Sequence, residues 1–233
     1  MQQMKTRKAE EIRNELESLA EEKYRKFSSG LLPGSGNLLG VRIPSLREIA
    51  KREAKAGWHE YLAGASDDSF EEIMLQGLVI GYAKAAPEEL CRALDCFVPK
   101  IDNWSVCDST AMTISAAKKY PEIFFAYAKK CMAEETEFSM RFGIVLLLAH
   151  FINDEYYTEV LALLNRHEFP GYYAKMAAAW AVSVAYVKYP VETELWMKDC
   201  LLDDETFNKA VQKIKESYRV SKDAKKRVEM MKR

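Results

Sequence analysis

Ala117-Lys118-Lys119-Tyr120-Pro121-Glu122 closes one apolar helical stretch and opens another, and the chain repeats that junction. Tyr82-Ala83-Lys84-Ala85-Ala86-Pro87-Glu88 places its proline 34 residues earlier, and Tyr186-Val187-Lys188-Tyr189-Pro190-Val191-Glu192 places its own 69 residues later, close to two such intervals. Proline suits the first position of a helix because the N–H it lacks would have no partner there. A fourth junction is expected near residue 155, where Asn153 and Asp154 replace proline as helix initiators. The interval divides the chain into helical pairs: 71–85 with 87–98, 105–120 with 121–132, 138–151 with 154–165, and 173–188 with 190–201, closed by 205–218. No stretch alternates apolar and polar residues as a strand does, so the fold class is all-α.

Helical hairpins at this period stack into an α-solenoid, an α-α superhelix whose concave groove is lined by one helix of each pair. The fixed Trp, Leu-Gly and Tyr offsets of tetratricopeptide repeats are absent, which favours a HEAT-like array. A single domain over 1–233 is expected, with N-terminal helices and a Gly/Pro loop in 1–60, four hairpins in 70–202, and a C-terminal helix with a basic tail in 205–233. The first helix is read over 6–26, with Ile12, Leu16 and Leu19 on its apolar face. The run Ser28-Ser29-Gly30-Leu31-Leu32-Pro33-Gly34-Ser35-Gly36 is read as the loop that ends it. A helix beginning near Pro44 carries Leu46, Ile49 and Ala50 on one face.

No apolar run approaches the roughly 20 residues of a bilayer span, so no membrane role is expected. Cys91, Cys96, Cys107, Cys131 and Cys200 are scattered and odd in number, and His59, His150 and His167 stand apart, so neither a disulfide framework nor a metal site is expected. The charged start of the chain has no secretory pattern, which suggests a cytoplasmic protein. The 34 Lys plus Arg against 35 Asp plus Glu argue against bulk electrostatic coating of nucleic acid. Yet the charge is uneven: residues 213–233 carry nine basic side chains against three acidic ones, and residues 1–60 twelve against nine, leaving the repeats strongly acidic.

Four residues interrupt the first helices with chemistry. Trp104 and Asp108 are four apart and so share a helix face, Arg141 precedes the apolar Val145-Leu146-Leu147-Leu148, and Trp180 lies among small residues from Ala177 to Ala181. They recur on equivalent helices of three successive pairs, which a solenoid would align along its concave surface. Two rings, a carboxylate and a guanidinium suit a ligand with a cationic centre, a sugar edge and a phosphate.

These residues, together with Leu39-Gly40-Val41-Arg42-Ile43-Pro44, Leu46-Arg47, Asn103-Trp104-Ser105-Val106-Cys107-Asp108-Ser109 and Lys188-Tyr189-Pro190, resemble the DNA alkylation repair family of HEAT-like glycosylases, the AlkD-like enzymes. The resemblance runs from about residue 20 to residue 215. It implies action on double-stranded alkylated DNA, excising N3- and N7-alkylpurines without base flipping, metal or redox cofactor; a monomer is expected. Asp108 would stabilise charge on the deoxyribose and direct water, Trp104 and Trp180 would touch the nucleotide's sugar and backbone, and Arg141 would hold a phosphate. Arg42, Arg47, Lys213 and Lys215 are further candidates for DNA contact. Asn103, Ser183 and Val184 stand where the family often carries an aromatic and a basic residue. Two other readings are a non-catalytic relative that binds DNA structures and a scaffold that binds protein.

Overall fold

The computed structural model describes residues 2–32 and 37–233, with side chains from residue 9 onward. Pro33 to Gly36 of the expected loop lie outside the described residues. The described residues form α-helices and two short 3-10 turns and contain no strand. The helices are α1 (Gln2–Ser18), α2 (Glu22–Leu31), α3 (Ile43–Gly64), α4 (Phe70–Tyr82), α5 (Pro87–Phe97), α6 (Trp104–Thr113), α7 (Pro121–Ala133), α8 (Glu137–His150), α9 (Tyr157–Leu164), α10 (Gly171–Lys188), α11 (Pro190–Asp199), α12 (Asp204–Glu216) and α13 (Lys222–Glu229). None of them is long and apolar enough to cross a membrane.

The chain divides into two compact units, Met1–Ile123 and Phe124–Arg233. Within the first, α4 packs between α3 and α6, with α5 alongside; within the second, α10 packs between α8 and α12, with α9 and α11 alongside. Each unit is thus an α-solenoid stack in which the first helix of every pair forms the inner row. Leu75, Leu78 and Val79 of α4 and Ala177, Ala178 and Val182 of α10 have no exposed surface, because these helices have neighbours on two sides.

Pro87, Pro121 and Pro190 each occupy the first position of a helix, as their chemistry dictates. Other starts rely on side-chain caps: Asn103 accepts from Val106 N at 3.0 Å, Asp203 from Thr206 N at 3.0 Å and Ser221 from Ala224 N at 3.2 Å. Ser69 and Glu72 form a reciprocal capping pair at the start of α4, with the Ser69 hydroxyl donating to Glu72 at 2.8 Å and accepting from the Glu72 amide.

Three boundaries differ from the sequence reading. The helix expected over 6–26 is two helices, α1 and α2, and Leu19 lies exposed in the break while Ile12 and Leu16 are buried. Glu21 N donates there to Gly40 O at 3.0 Å, a contact from distant sequence that redirects the chain. Consequently Ser28 to Leu31, read as loop, belong to α2. The helix expected over 105–120 ends at Thr113, and a 3-10 turn at Ser115–Lys118 follows Ile114. The second helix of the third pair starts at Tyr157, because Asn153 Oδ1 accepts from the amides of Glu155 and Tyr156 and holds them in a turn.

Close packing of α6 on α4 depends on glycine. A Cβ at Gly77 would meet the Thr110 hydroxyl and lie 2.6 Å from the Phe97 ring, and one at Gly81 would lie 2.9 Å from a Thr113 methyl. Gly77→Ala is therefore expected to lower stability by about 1–3 kcal/mol through overpacking, despite alanine's better helix propensity. Urea unfolding of the two proteins checks this; an unchanged or higher midpoint contradicts it.

Candidate nucleic-acid interface

In the first unit, α6 carries Trp104 at its first position and Asp108 one turn later. Val106, Cys107, Thr110 and Ala111 are buried against the core, which leaves Trp104, Ser105, Asp108 and Ser109 half-exposed as an outward stripe. The shared face expected from the spacing is present. Asn103, also buried, caps the helix and donates to Asp102 Oδ1 at 2.7 Å, so its identity serves α6 itself. The Trp104 indole Nε1 donates to the Leu31 carbonyl at the end of α2, at 3.3 Å.

Arg47 fixes the far end of the same helix. Its Nη1 donates to the Tyr82 hydroxyl at 2.8 Å and to Thr113 Oγ1 at 2.9 Å, and Thr113 in turn donates to Ser109 O at 2.6 Å. Arg47 thereby ties α3, α4 and the end of α6 together. Arg42 is exposed and forked onto Glu21 at 2.7 and 2.8 Å, with its guanidinium 5.0 Å from the Tyr24 ring centre. Those hydrogen bonds hold the Glu21 carboxyl below its usual range.

The backbone that carries Arg42 is itself clamped. Glu71, 1% exposed on α4, accepts from Leu39 N at 2.9 Å, Gly40 N at 2.7 Å and Val41 N at 3.2 Å. Gly40 has φ of +98°, and a Cβ there would lie 2.7 Å from Glu21 O. Sequence reasoning singled out the 39–44 motif without its partner, because Glu71 resembles an ordinary acidic residue in the first turn of a helix.

In the second unit, Arg141 is buried on α8, 6% exposed, and donates from Nη1 to Tyr173 O at 2.7 Å. Glu137, one turn earlier on α8, accepts from Tyr173 N. The two side chains grip the first turn of α10, the helix that displays Trp180 two turns on. Trp180 is half-buried and borders a cavity together with Lys188, Lys213 and Arg219. Lys215 is ion-paired with Glu229. Lys188 was quoted from sequence only within its junction motif and shares α10 with Trp180, whereas Ser217 and Arg219 were not singled out, and only the packing of α10 on α12 brings them to Trp180.

A cavity of about 420 Å³ in the first unit, bordered by Trp58, His59, Arg92 and Cys96, contains none of the candidate residues. Among the described residues no group of three His, Cys, Asp or Glu side chains could hold a metal ion.

A comparison with curated proteins finds no match. The protein-family model described as DNA alkylation repair enzyme matches residues 12–168, a span that includes Arg42, Arg47, Trp104, Asp108 and Arg141, while Trp180, Lys213 and Lys215 lie beyond it. Since that span is more than half of the sequence, the chain belongs to the DNA alkylation repair enzyme family, and DNA alkylation repair is its broad role.

Proposed function

We propose that the protein is a DNA glycosylase that removes positively charged N3- and N7-alkylpurines from duplex DNA by hydrolysis, without flipping the base. The observation that carries this reading is the outward Trp104–Asp108 stripe on α6, inside the span matched by the family. An N-alkylated purine already bears positive charge. When the glycosidic bond breaks, its electron pair leaves with the base and neutralises that charge, so no strong general acid is required. The positive charge moves to the deoxyribose, where the Asp108 carboxylate stabilises it and directs a water to the anomeric carbon. The water adds through oxygen and loses a proton to Asp108 or to solvent. Trp104 contacts the sugar edge from the same helix face. In the second unit Trp180 meets the DNA backbone, while Arg141, buried and engaged with Tyr173 O, positions the helix that carries Trp180 rather than holding a phosphate itself.

The test is base release from duplex DNA treated with a methylating agent. Purified protein is expected to free N3-methyladenine and N7-methylguanine faster than spontaneous depurination. Salt-sensitive binding to DNA with no base loss overturns the glycosylase reading and favours a non-catalytic DNA-binding relative.

A further inference from the structure

The cavity beside Trp180 is lined, Trp180 apart, by residues to which the reaction above gives no role. One wall is a single face of α10, formed by Trp180, Ser183, Val184, Val187 and Lys188. The other comes from the end of α12 and the turn after it, through Lys213, Glu216, Ser217 and Arg219. Its volume is about 350 Å³, within the range of small-ligand sites. Three cationic side chains face one carboxylate, and that carboxylate, Glu216, already accepts from Gln212 at 2.8 Å.

The cations differ in what they are doing. Lys188 donates to Ile152 O at 2.6 Å and is anchored there. Among the described residues neither Lys213 nor Arg219 is held by a carboxylate. By contrast Lys215, on the same last turn of α12 as Lys213, is engaged by Glu229. The turn itself is shaped locally, with the Ser217 hydroxyl accepting from Arg219 N at 3.3 Å. It presents Tyr218 fully to solvent, with Arg219 exposed beside it and Lys213 half-buried on the last turn of α12.

We propose that this cavity is a phosphodiester subsite for a DNA strand, in which Lys213 and Arg219 hold a backbone phosphate and Trp180 packs against the adjoining sugar. The residues that hold this phosphate are distinct from Arg141, which is buried against Tyr173 O. Two unpaired cations flanking a half-buried ring match the chemistry of a nucleotide unit, anionic at one end and flat or apolar at the other. The subsite rests on the DNA-repair reading above and extends its contact surface into the part of the chain beyond residue 168.

Fluorescence anisotropy with a short labelled, unmodified duplex tests this across a salt series. The double variant Lys213→Ala/Arg219→Ala is expected to weaken binding about tenfold or more. It should also reduce the slope of log affinity against log salt by about one, since the two cations share a single phosphate and each neutralised phosphate contributes about 0.9. Lys198→Ala, at an exposed position of α11 that has no part in the subsite, should change neither, and all three proteins should melt alike because the replaced side chains are exposed or only half-buried. Equal affinity and slope in native and double variant overturn the subsite, even if native protein releases base. Saturable binding of inorganic phosphate alone, with duplex affinity unaltered in the double variant, assigns the cavity to a free anion and also overturns it. Loss of duplex binding in the double variant supports the subsite even where the native protein proves to release no base, so the two readings fail separately.

Discussion

Asp108→Asn is expected to slow base release by about 10²–10³-fold, the range found when one preorganised electrostatic group is removed from a catalytic site. The substitution keeps the shape of the side chain and removes its charge, so the sugar's developing positive charge loses its stabilising partner. Asp108 lies half-exposed on the outward stripe of α6, whose core contacts come from Val106, Cys107, Thr110 and Ala111. Stability should therefore change by no more than about 1 kcal/mol, the size of one half-exposed polar interaction. Affinity for DNA should hold or rise slightly, because a negative charge facing a polyanion is gone. Single-turnover release from methylated duplex, with anisotropy on the same DNA, separates these effects. A native release rate in the variant removes Asp108 from the chemistry; a parallel fall in binding and rate would make it a binding residue instead.

The second large effect concerns stability. Glu71→Ala is expected to cost about 3–6 kcal/mol, a large share of the 5–15 kcal/mol that holds a typical domain together. The carboxylate serves three backbone N–H groups at Leu39, Gly40 and Val41, and alanine would leave two buried and one part-buried without an acceptor. The loop cannot re-form easily elsewhere, since Gly40 lies at positive φ and its carbonyl accepts from Glu21 N. Glu71→Gln retains one carbonyl acceptor and should fall between the two. Guanidinium unfolding measures both; a loss below about 1 kcal/mol for the alanine variant would show that the loop finds other partners.

The legible part of this fold was the part set by neighbours in sequence. Pro87, Pro121 and Pro190 announce helix starts because the missing N–H acts within one turn, and all three stand where the spacing put them. The common face of Trp104 and Asp108 followed from helical geometry alone. Boundaries failed where a distant group intervened: Gly40 O taking the Glu21 amide splits the first expected helix. The environments of the candidate residues were less accessible still. Arg141 reads as a lone cation before an apolar run, yet its guanidinium lies buried against Tyr173 O. Lys213 and Lys215 look equivalent in sequence and differ because Glu229, on α13, reaches only the latter. Such distinctions depend on which side chains meet where helices pack, and a periodicity of about 34 residues gives the order of the helices but not those meetings.

The hydrogen bond from Trp104 to the Leu31 carbonyl makes the interface a competitor with its own chain. A ligand that takes the indole N–H must first displace the end of α2, at a cost of about 1 kcal/mol, or roughly fivefold in affinity. Linkage is reciprocal: whatever loosens that helix end tightens ligand binding at Trp104 by the same factor, and an occupied Trp104 releases the helix end. The two events share one proton donor, and the ring's availability is thereby set by a segment more than seventy residues away in the chain.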